Sequence, residues 1–199
     1  MADNLNVDLS IIILTYNTKE ITAEAVSSIE ENYLEEVSSG KYEVIVADNR
    51  STDGSLEYFK EYKNKTKIKT FHIIDNGGNL GFSKGNNTGV KYAKGKYVLF
   101  LNPDTIVYKD TLNYMIDFMN AHSEVGSASC KLINKDGQID FNCHRGFPTP
   151  WNAFCYFAKL EWLLPEFTFF SGYHQLYKNL KTIHEVDVIS GAFFMTSRS

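Results

Sequence analysis

No run of eighteen or more apolar residues occurs in this 199-residue sequence, so no stretch has the length of a membrane-spanning helix. Residues Met1 to Asp8 are polar and lack the apolar segment of a secretory signal. The expectation is a cytoplasmic protein. Cysteine is scarce: Cys130, Cys143 and Cys155 form no C-x-x-C pair and leave an odd number, which points to reduced thiols and not to a disulfide framework. Cys143-His144 taken with Cys155 and His174 fits no standard zinc spacing. Basic residues are outnumbered, 20 Lys and Arg against 24 Asp and Glu, so there is no global positive field and nucleic acid is not an expected partner. No G-x-x-x-x-G-K-[ST] occurs, which excludes a P-loop. The first strand is not followed by G-x-G-x-x-G, which argues against a Rossmann dinucleotide site. No repeat or low-complexity tract is present. What is left, 43% hydrophobic and 22% charged residues, is an ordinary globular composition with enough chain for one sizeable core.

Apolar runs alternate with helical patterns through the first 130 residues. Leu9 to Thr15, Tyr42 to Asp48, Ile68 to Asp75, Tyr97 to Leu101 and Val125 to Leu132 read as strands. Between them, one helix carries Ile21, Ala25 and Ile29, and a short one carries Leu56 and Phe59. Phe82 to Ala93 is a third helix, and Thr111 to Met119 presents Leu112, Met115, Ile116 and Met119 on one face. This alternation predicts an α/β fold of βαβ units around a mostly parallel sheet. After Phe141 the style changes: Phe141 to Phe170 is crowded with aromatics and holds every proline except Pro103. It reads as a helical insertion packed on or beside the sheet. A membrane-contacting surface is the alternative, disfavoured because the segment has few basic residues to hold anionic lipid. Glu185 to Ser190 resumes strand character, with Ala192 to Thr196 continuing it.

Three of the parallel strands end in polar residues: Thr15-Tyr16-Asn17, Asp48-Asn49 and Asn102-Pro103-Asp104. Ligands in open α/β sheets bind beyond these C-terminal strand ends. Pro103 cannot donate to a ladder, so the strand stops near Asn102 and leaves Asp104 just outside it. A carboxylate there can hold a hard divalent cation, and through it a diphosphate; the plainer alternative is an Asx cap. Tyr16 can stack on a base. Asp48 can accept from the imide N–H that uracil and thymine both carry, since a carboxylate only accepts. Gly81, Gly85 and Gly89 recur every four residues; tight helix-on-sheet packing is the favoured reading of the last two. Asn79 and Asn86 in the same stretch are better placed for ligand contact.

These motifs, in this order, resemble family 2 glycosyltransferases, with the closest likeness to the rhamnosyltransferase-like branch. They are Ile13 to Asn17, Val46 to Ser55, Asn79 to Asn87, Leu101 to Thr105, Asp136-Gly137, Arg145 to Pro148 and Val186 to Ala192. The resemblance implies a GT-A (nucleotide-diphospho-sugar transferase) fold, with a Rossmann-like sheet flanked by helices and truncated on its C-terminal side. It implies a nucleotide-sugar-binding half over 9–135, an aromatic-rich insertion over 141–180 and the start of an acceptor half over 185–199. Thr15, Tyr16, Asn17, Asp48, Asn79, Asn86 and Asn102 would bind nucleotide. Asp104 would hold Mg²⁺ or Mn²⁺, because Asn102 replaces the first acid of the family's D-x-D. The donor would be a dTDP- or UDP-sugar, with dTDP-rhamnose first. The acceptor would be a glycan or polyprenyl-linked sugar of bacterial surface polysaccharide, and the transfer inverting. The family's general base would lie beyond Ser199, which motivates a second reading, a non-catalytic nucleotide-sugar or glycan-binding module. A peripheral contact at the inner face of the cell membrane belongs with the aromatic segment. A nucleotidyltransferase is the weakest option, for want of a Gly-rich phosphate loop.

Overall fold

Seven consecutive buried residues, Tyr42–Asp48, form strand β2. A strand covered on both faces needs this unbroken apolar run, with polar residues tolerated only where they find partners. The computed structural model describes residues 7–198. β1 (Leu9–Thr15) pairs in parallel with β2 on one side and with β4 (Tyr97–Leu101) on the other, and β2 pairs in parallel with β3 (Phe71–Asp75). With β5 (Ser127–Ala128) and β8 (Phe193–Ser197), the six-stranded sheet has the order β3-β2-β1-β4-β8-β5. The chain therefore winds outward from β1 through β2 to β3, and then returns to the other side of β1. The switch of direction lies beside β1, and the C-terminal ends of β1, β2 and β4 make the edge at which α/β sheets take ligands.

Helices α1 (Lys19–Asn32), α2 (Leu34–Ser39), α3 (Ser55–Tyr62), α4 (Gly81–Val90) and α5 (Thr111–Ala121) connect these strands. α5 buries Leu112, Met115, Ile116 and Met119, as its spacing predicts. α1 buries Thr22, Ala25, Val26, Ser28 and Ile29 but leaves Ile21 exposed, so its inward stripe is rotated from the expected one. α4 lies close to the sheet: a Cβ at Gly89 would sit 2.7 Å from Ile12 Cγ2, so that glycine serves packing. α4 stops at Val90, short of Ala93, because Tyr92 and Ala93 bond three residues back and tighten into a turn. β3 starts at Phe71, not Ile68; Lys69 N–H is taken by Val37 O, which holds the preceding residues in a loop.

At the opposite end of the sheet from these strand ends, a fully buried carboxylate joins three strands. Glu43 Oε1 accepts from Ser10 Oγ (2.6 Å) and from Lys94 N–H (2.6 Å), and His72 Nε2 lies 3.7 Å from Oε2. Burial pushes the Glu43 pKa up. His72, Ser10 and the Lys94 N–H together outweigh it and hold the carboxyl below its ordinary value. A depressed carboxylate contributes stability above its unfolded pKa and loses it as pH falls through the folded one. Glu43→Gln is expected to lower unfolding free energy by about 1–3 kcal/mol at pH 7, and the gap from wild type should narrow below the ordinary glutamate pKa. Urea unfolding at pH 7 and pH 3.5 checks this; a gap that stays constant across that range would refute it.

The described residues fall into two units, one running to Ala128 and resuming at Gly191, the other Ser129–Ser190. The fifth strand is only Ser127–Ala128 (β5), an edge pair with β8 (Phe193–Ser197) where Val125 to Leu132 is expected. The chain leaves the sheet at Ser129. The expected continuous strand from Glu185 to Thr196 is also corrected. Val188–Ile189 (β7) pairs with β6 (His144–Arg145) within the second unit, while β8 runs antiparallel to β4 in the first.

The second unit carries two short helices, α6 (Pro150–Phe157) and α7 (Leu160–Leu163). Its aromatics are largely exposed, contrary to the core-packing expectation: Phe147, Trp151, Phe154, Phe167 and Phe169 face outward, with Phe157 79% and Leu163 73% exposed. Helices of eight and four residues present more apolar surface than they can cover. The buried positions go to Cys143, Cys155 and the polar side chains of His144, Glu161, Ser171, His174 and Gln175. Glu161 and His174 pair at 2.7 Å. Burial pushes the Cys143 thiol up and His144 down to about 4. Among the described residues no group of three or more His, Cys, Asp or Glu side chains can hold a metal ion.

Candidate nucleotide-binding edge

The C-terminal ends of β1 and β2 are fixed to each other by the turns that follow them. Asn49 N–H donates to Thr15 O (2.9 Å). Asn17 N–H donates to Ser51 Oγ (2.9 Å), and Asn17 Oδ1 accepts from Thr52 N–H (2.7 Å). Asp53 bridges two helix starts: Oδ2 accepts from Lys19 N–H at the head of α1, and Oδ1 from Ser55 N–H at the head of α3. Asn17 and Arg50 both have left-handed backbones, φ 54° and 62°. Asparagine adopts this region readily, whereas arginine does so with strain, which clusters at functional sites. The sequence shows this clamp only as a dense cap-and-turn signal from Asn49 to Ser55. Ser51 and Asp53 are not singled out there as site-building residues.

Within this frame Asp48 is 1% exposed. Its Oδ2 accepts from Ser51 N–H at 2.9 Å, while Oδ1 is buried with no hydrogen-bond partner among the described residues. A buried carboxylate oxygen without a donor is destabilising, and such atoms in a native fold call for an explanation in ligand or function. Tyr16, next to the end of β1, is 47% exposed and free to present its ring. Thr15 is turned the other way: its hydroxyl lies 3.0 Å from those of Thr18 and Thr22, inside the head of α1.

The segment after β3 folds over the same edge. Asn76 N–H donates to Asp48 O (2.9 Å), and Asn79 Oδ1 accepts from Gly81 N–H (3.0 Å) at the start of α4. Asn79 is exposed; Asn86 is buried and donates to Phe82 O (3.0 Å), one turn inside α4. On the far side, Asn102 N–H donates to Ala192 O (3.0 Å) and Asn102 O closes the Pro103-Asp104 turn by accepting from Thr105 N–H (3.2 Å). Asp104 is exposed just past β4. A Cβ at Gly191 would touch the Phe82 ring at 3.3 Å, so α4 and the entry to β8 also meet here. The structure thus brings Tyr16, Asn17, Asp48, Asn79, Asn102 and Asp104 to one sheet edge, and turns Thr15 and Asn86 into the packing behind it. β2 and β4 flank β1, so their ends lie about 10 Å apart, a span that an extended nucleotide bridges from base to diphosphate.

One carboxylate beyond β4 is too few to make a protein cage for a metal. It fits a hard cation such as Mg²⁺, which keeps waters and binds through one or two carboxylates plus the phosphates of a nucleotide.

A mostly parallel sheet with this order, flanked by helices and closed by an antiparallel β8, is the GT-A architecture. The pattern described as Glycosyl transferase family 2 matches residues 10–194, and the chain belongs to that family. It is 32% identical over 129 residues to the poly(ribitol-phosphate) beta-N-acetylglucosaminyltransferase TarS of Staphylococcus aureus, covering 64% of this chain and 22% of TarS. It is 30% identical over 136 residues to the minor teichoic acid biosynthesis protein GgaB of Bacillus subtilis, covering 68% of this chain and 15% of GgaB. The chain therefore spans about a fifth or less of these relatives' length. The structure of S. aureus TarS 1–349 in complex with UDP-GlcNAc superposes with a TM-score of 0.56 at 26% identity, over 73% of this chain and 38% of that one. The mannosyltransferase PcManGT from Pyrobaculum calidifontis, in complex with GDP-Man and Mn²⁺, shares the fold with a TM-score of 0.58 at 23% identity, over 66% of this chain and 37% of that one.

Proposed function

We propose that this chain binds the nucleoside-diphosphate sugar of an inverting glycosyltransferase and that its protein transfers the sugar to a glycan or polyprenyl-linked acceptor of a cell-surface polymer. The buried Oδ1 of Asp48, which has no hydrogen-bond partner among the described residues, carries the reading. A single imide N–H, as in uracil or thymine, supplies the donor that this oxygen lacks. Guanine presents two adjacent donors suited to a carboxylate with both oxygens open, and here Oδ2 already serves Ser51 N–H. UDP- and dTDP-sugars are therefore preferred to GDP-sugars. The relatives' names, N-acetylglucosaminyl and glucosyl transferases among them, favour a UDP-hexose type donor, and dTDP-rhamnose rests on the motif resemblance.

In transfer, the acceptor hydroxyl oxygen bonds to the anomeric carbon as the bond to the diphosphate breaks, and the hydroxyl proton passes to a base. No residue among 7–198 is assigned that base. The chain's own contribution is to hold the donor: Asp48 accepts from the base, the Tyr16 ring covers it, and Asn79 offers its amide to the diphosphate. Asp104 would hold Mg²⁺ or Mn²⁺, whose chemistry is to stabilise the charge that develops on the departing diphosphate.

Calorimetric titration with UDP, dTDP and GDP, each with Mn²⁺ and then with EDTA, tests the reading. Binding of UDP or dTDP at least about tenfold tighter than GDP is expected. Equal affinity for all three, or none, would sink it. A second reading, a binding module without transfer, draws on the Asn at position 102. Release of UDP from UDP-GlcNAc dependent on added glycan acceptor would exclude that reading.

No helix of the described residues is long and apolar enough to cross a membrane. The exposed aromatics of the second unit are proposed as a peripheral membrane-contacting surface. Between Phe147 and Phe170 the exposed charges are only Lys159 and Glu166. Adhesion through this surface is therefore expected to be as strong on phosphatidylcholine vesicles in 0.5 M NaCl as at low salt. Sedimentation only with anionic vesicles, or loss in salt, would count against it.

A further inference from the structure

We infer that Asn49 is the positioning residue of the donor edge, an inference that rests on the nucleotide reading above. Its side chain is buried, 2% exposed, and used in both directions. Oδ1 accepts from Asn76 Nδ2 (2.9 Å); Nδ2 donates toward Asn79 Oδ1 and Gly81 O, each at 3.3 Å. The Thr88 hydroxyl lies 2.5 Å from Asn76 Oδ1 and 2.6 Å from Gly85 O, which carries the same network two turns into α4. One amide thus links the end of β2, the 76–81 turn and the start of α4.

A second, independent feature makes room for it. A Cβ at Gly85 would fall 2.9 Å from Asn49 Oδ1 and 2.6 Å from Leu14 Cδ1. α4 presents bare backbone at the point where the amide lies.

The consequence for the donor has two parts. Asn49 follows Asp48 directly, so its hold on the turn fixes the direction in which Asp48 Oδ1 points. Asn79 Oδ1 is engaged by both Asn49 Nδ2 and Gly81 N–H, so the group Asn79 has left to offer is its NH₂, a donor suited to phosphate oxygens. An amide donates from one end and accepts at the other at any ordinary pH. A carboxylate keeps the acceptor for Asn76 and loses the donor for Asn79 and Gly81.

The test is Asn49→Asp, titrated with UDP and dTDP in the presence of Mn²⁺ from pH 8 to pH 5, with the wild type alongside. At pH 8 the variant is expected to bind at least about tenfold more weakly. A carboxyl beside Asp48 is pushed above its ordinary pKa, and once protonated it donates O–H where the amide donated N–H. Affinity should therefore recover toward wild type as pH falls, while the wild type varies by less than about threefold over the same range. A role in packing alone gives no such recovery. Asn76→Leu, on the turn and away from the sheet core, should weaken binding in the same direction without a pH trend, and it answers if the first variant does not fold. Wild-type affinity in either folded variant at pH 8, or a loss in Asn49→Asp that acid does not reverse, overturns the inference. A wild-type protein that binds neither nucleotide overturns the nucleotide reading itself, and this inference with it.

Discussion

Asp48→Asn is expected to weaken UDP and dTDP binding by about 10–100-fold, the weight of one hydrogen bond to a charged group, while the melting temperature stays level or rises. The two halves of this result come from the same atom. Oδ1 of Asp48 is buried and has no partner among the described residues, so in the unliganded protein the desolvation penalty of the carboxylate is offset only at Oδ2. An amide at this position keeps an oxygen for Ser51 N–H, at 2.9 Å in the wild type, and is easier to bury. It then turns its NH₂ toward the ligand, where an imide N–H meets a donor and not an acceptor. Function falls and stability does not, the trade expected where a fold holds a strained group for a ligand. Calorimetry and thermal unfolding on one preparation decide it. A variant that loses several degrees of melting temperature and keeps its affinity would make Asp48 a structural residue.

The sheet edge was legible from the sequence because the signal is local. β1, β2 and β4 are short apolar runs that end in polar residues, and a parallel sheet brings such ends together whatever the helices do. The packing role of Gly89 was legible for the same reason, since a helix on a parallel sheet leaves no room at that face. The clamp behind the edge was not. Asn49, Ser51 and Asp53 read as a generic cap because their partners, Thr15, Asn17, Lys19, Asn76 and Asn79, come from turns 27 to 34 residues distant and become neighbours only in the folded sheet. Thr15 and Asn86 are the converse. Their polarity suits a ligand, but their hydroxyl and amide are spent on α1 and on Phe82 O.

The rest of the departures concern what a strand or an aromatic run does once its neighbours are known. Residues 185–196 carry strand character throughout, yet Val188–Ile189 and Phe193–Ser197 join different sheets. Propensity reports extension and not partner. The aromatics from Phe147 to Phe169 read as core because large rings usually are. They lie outside because helices this short bury only one narrow side, and the inner positions of their unit went to the Glu161–His174 pair and its polar neighbours.

Asp104→Ala is expected to make nucleotide affinity independent of metal. In the wild type, Mn²⁺ should tighten UDP or dTDP binding by about tenfold or more over the same titration with EDTA, roughly 1.4 kcal/mol. In the variant the two titrations should coincide near the EDTA value. Among the described residues no group of three or more His, Cys, Asp or Glu side chains is placed to hold a metal ion, so the expected cation is one that takes most of its ligands from the diphosphate and water. The protein's share falls to the carboxylate beyond β4, held in place by the turn that Asn102 O closes with Thr105 N–H at 3.2 Å. Asn102 itself adds at most a neutral oxygen. Because Asp104 is exposed and outside the strand ladder, its removal should leave unfolding within about 0.5 kcal/mol of wild type, which separates loss of a ligand from loss of the fold. Asn102→Asp supplies the converse: a second carboxylate on the same turn should strengthen the Mn²⁺ dependence, not merely preserve it. If Asp104→Ala retains the full difference between Mn²⁺ and EDTA, the cation is held elsewhere and Asp104 is only a residue of the turn after β4, six positions short of the Asp110 N-cap of α5.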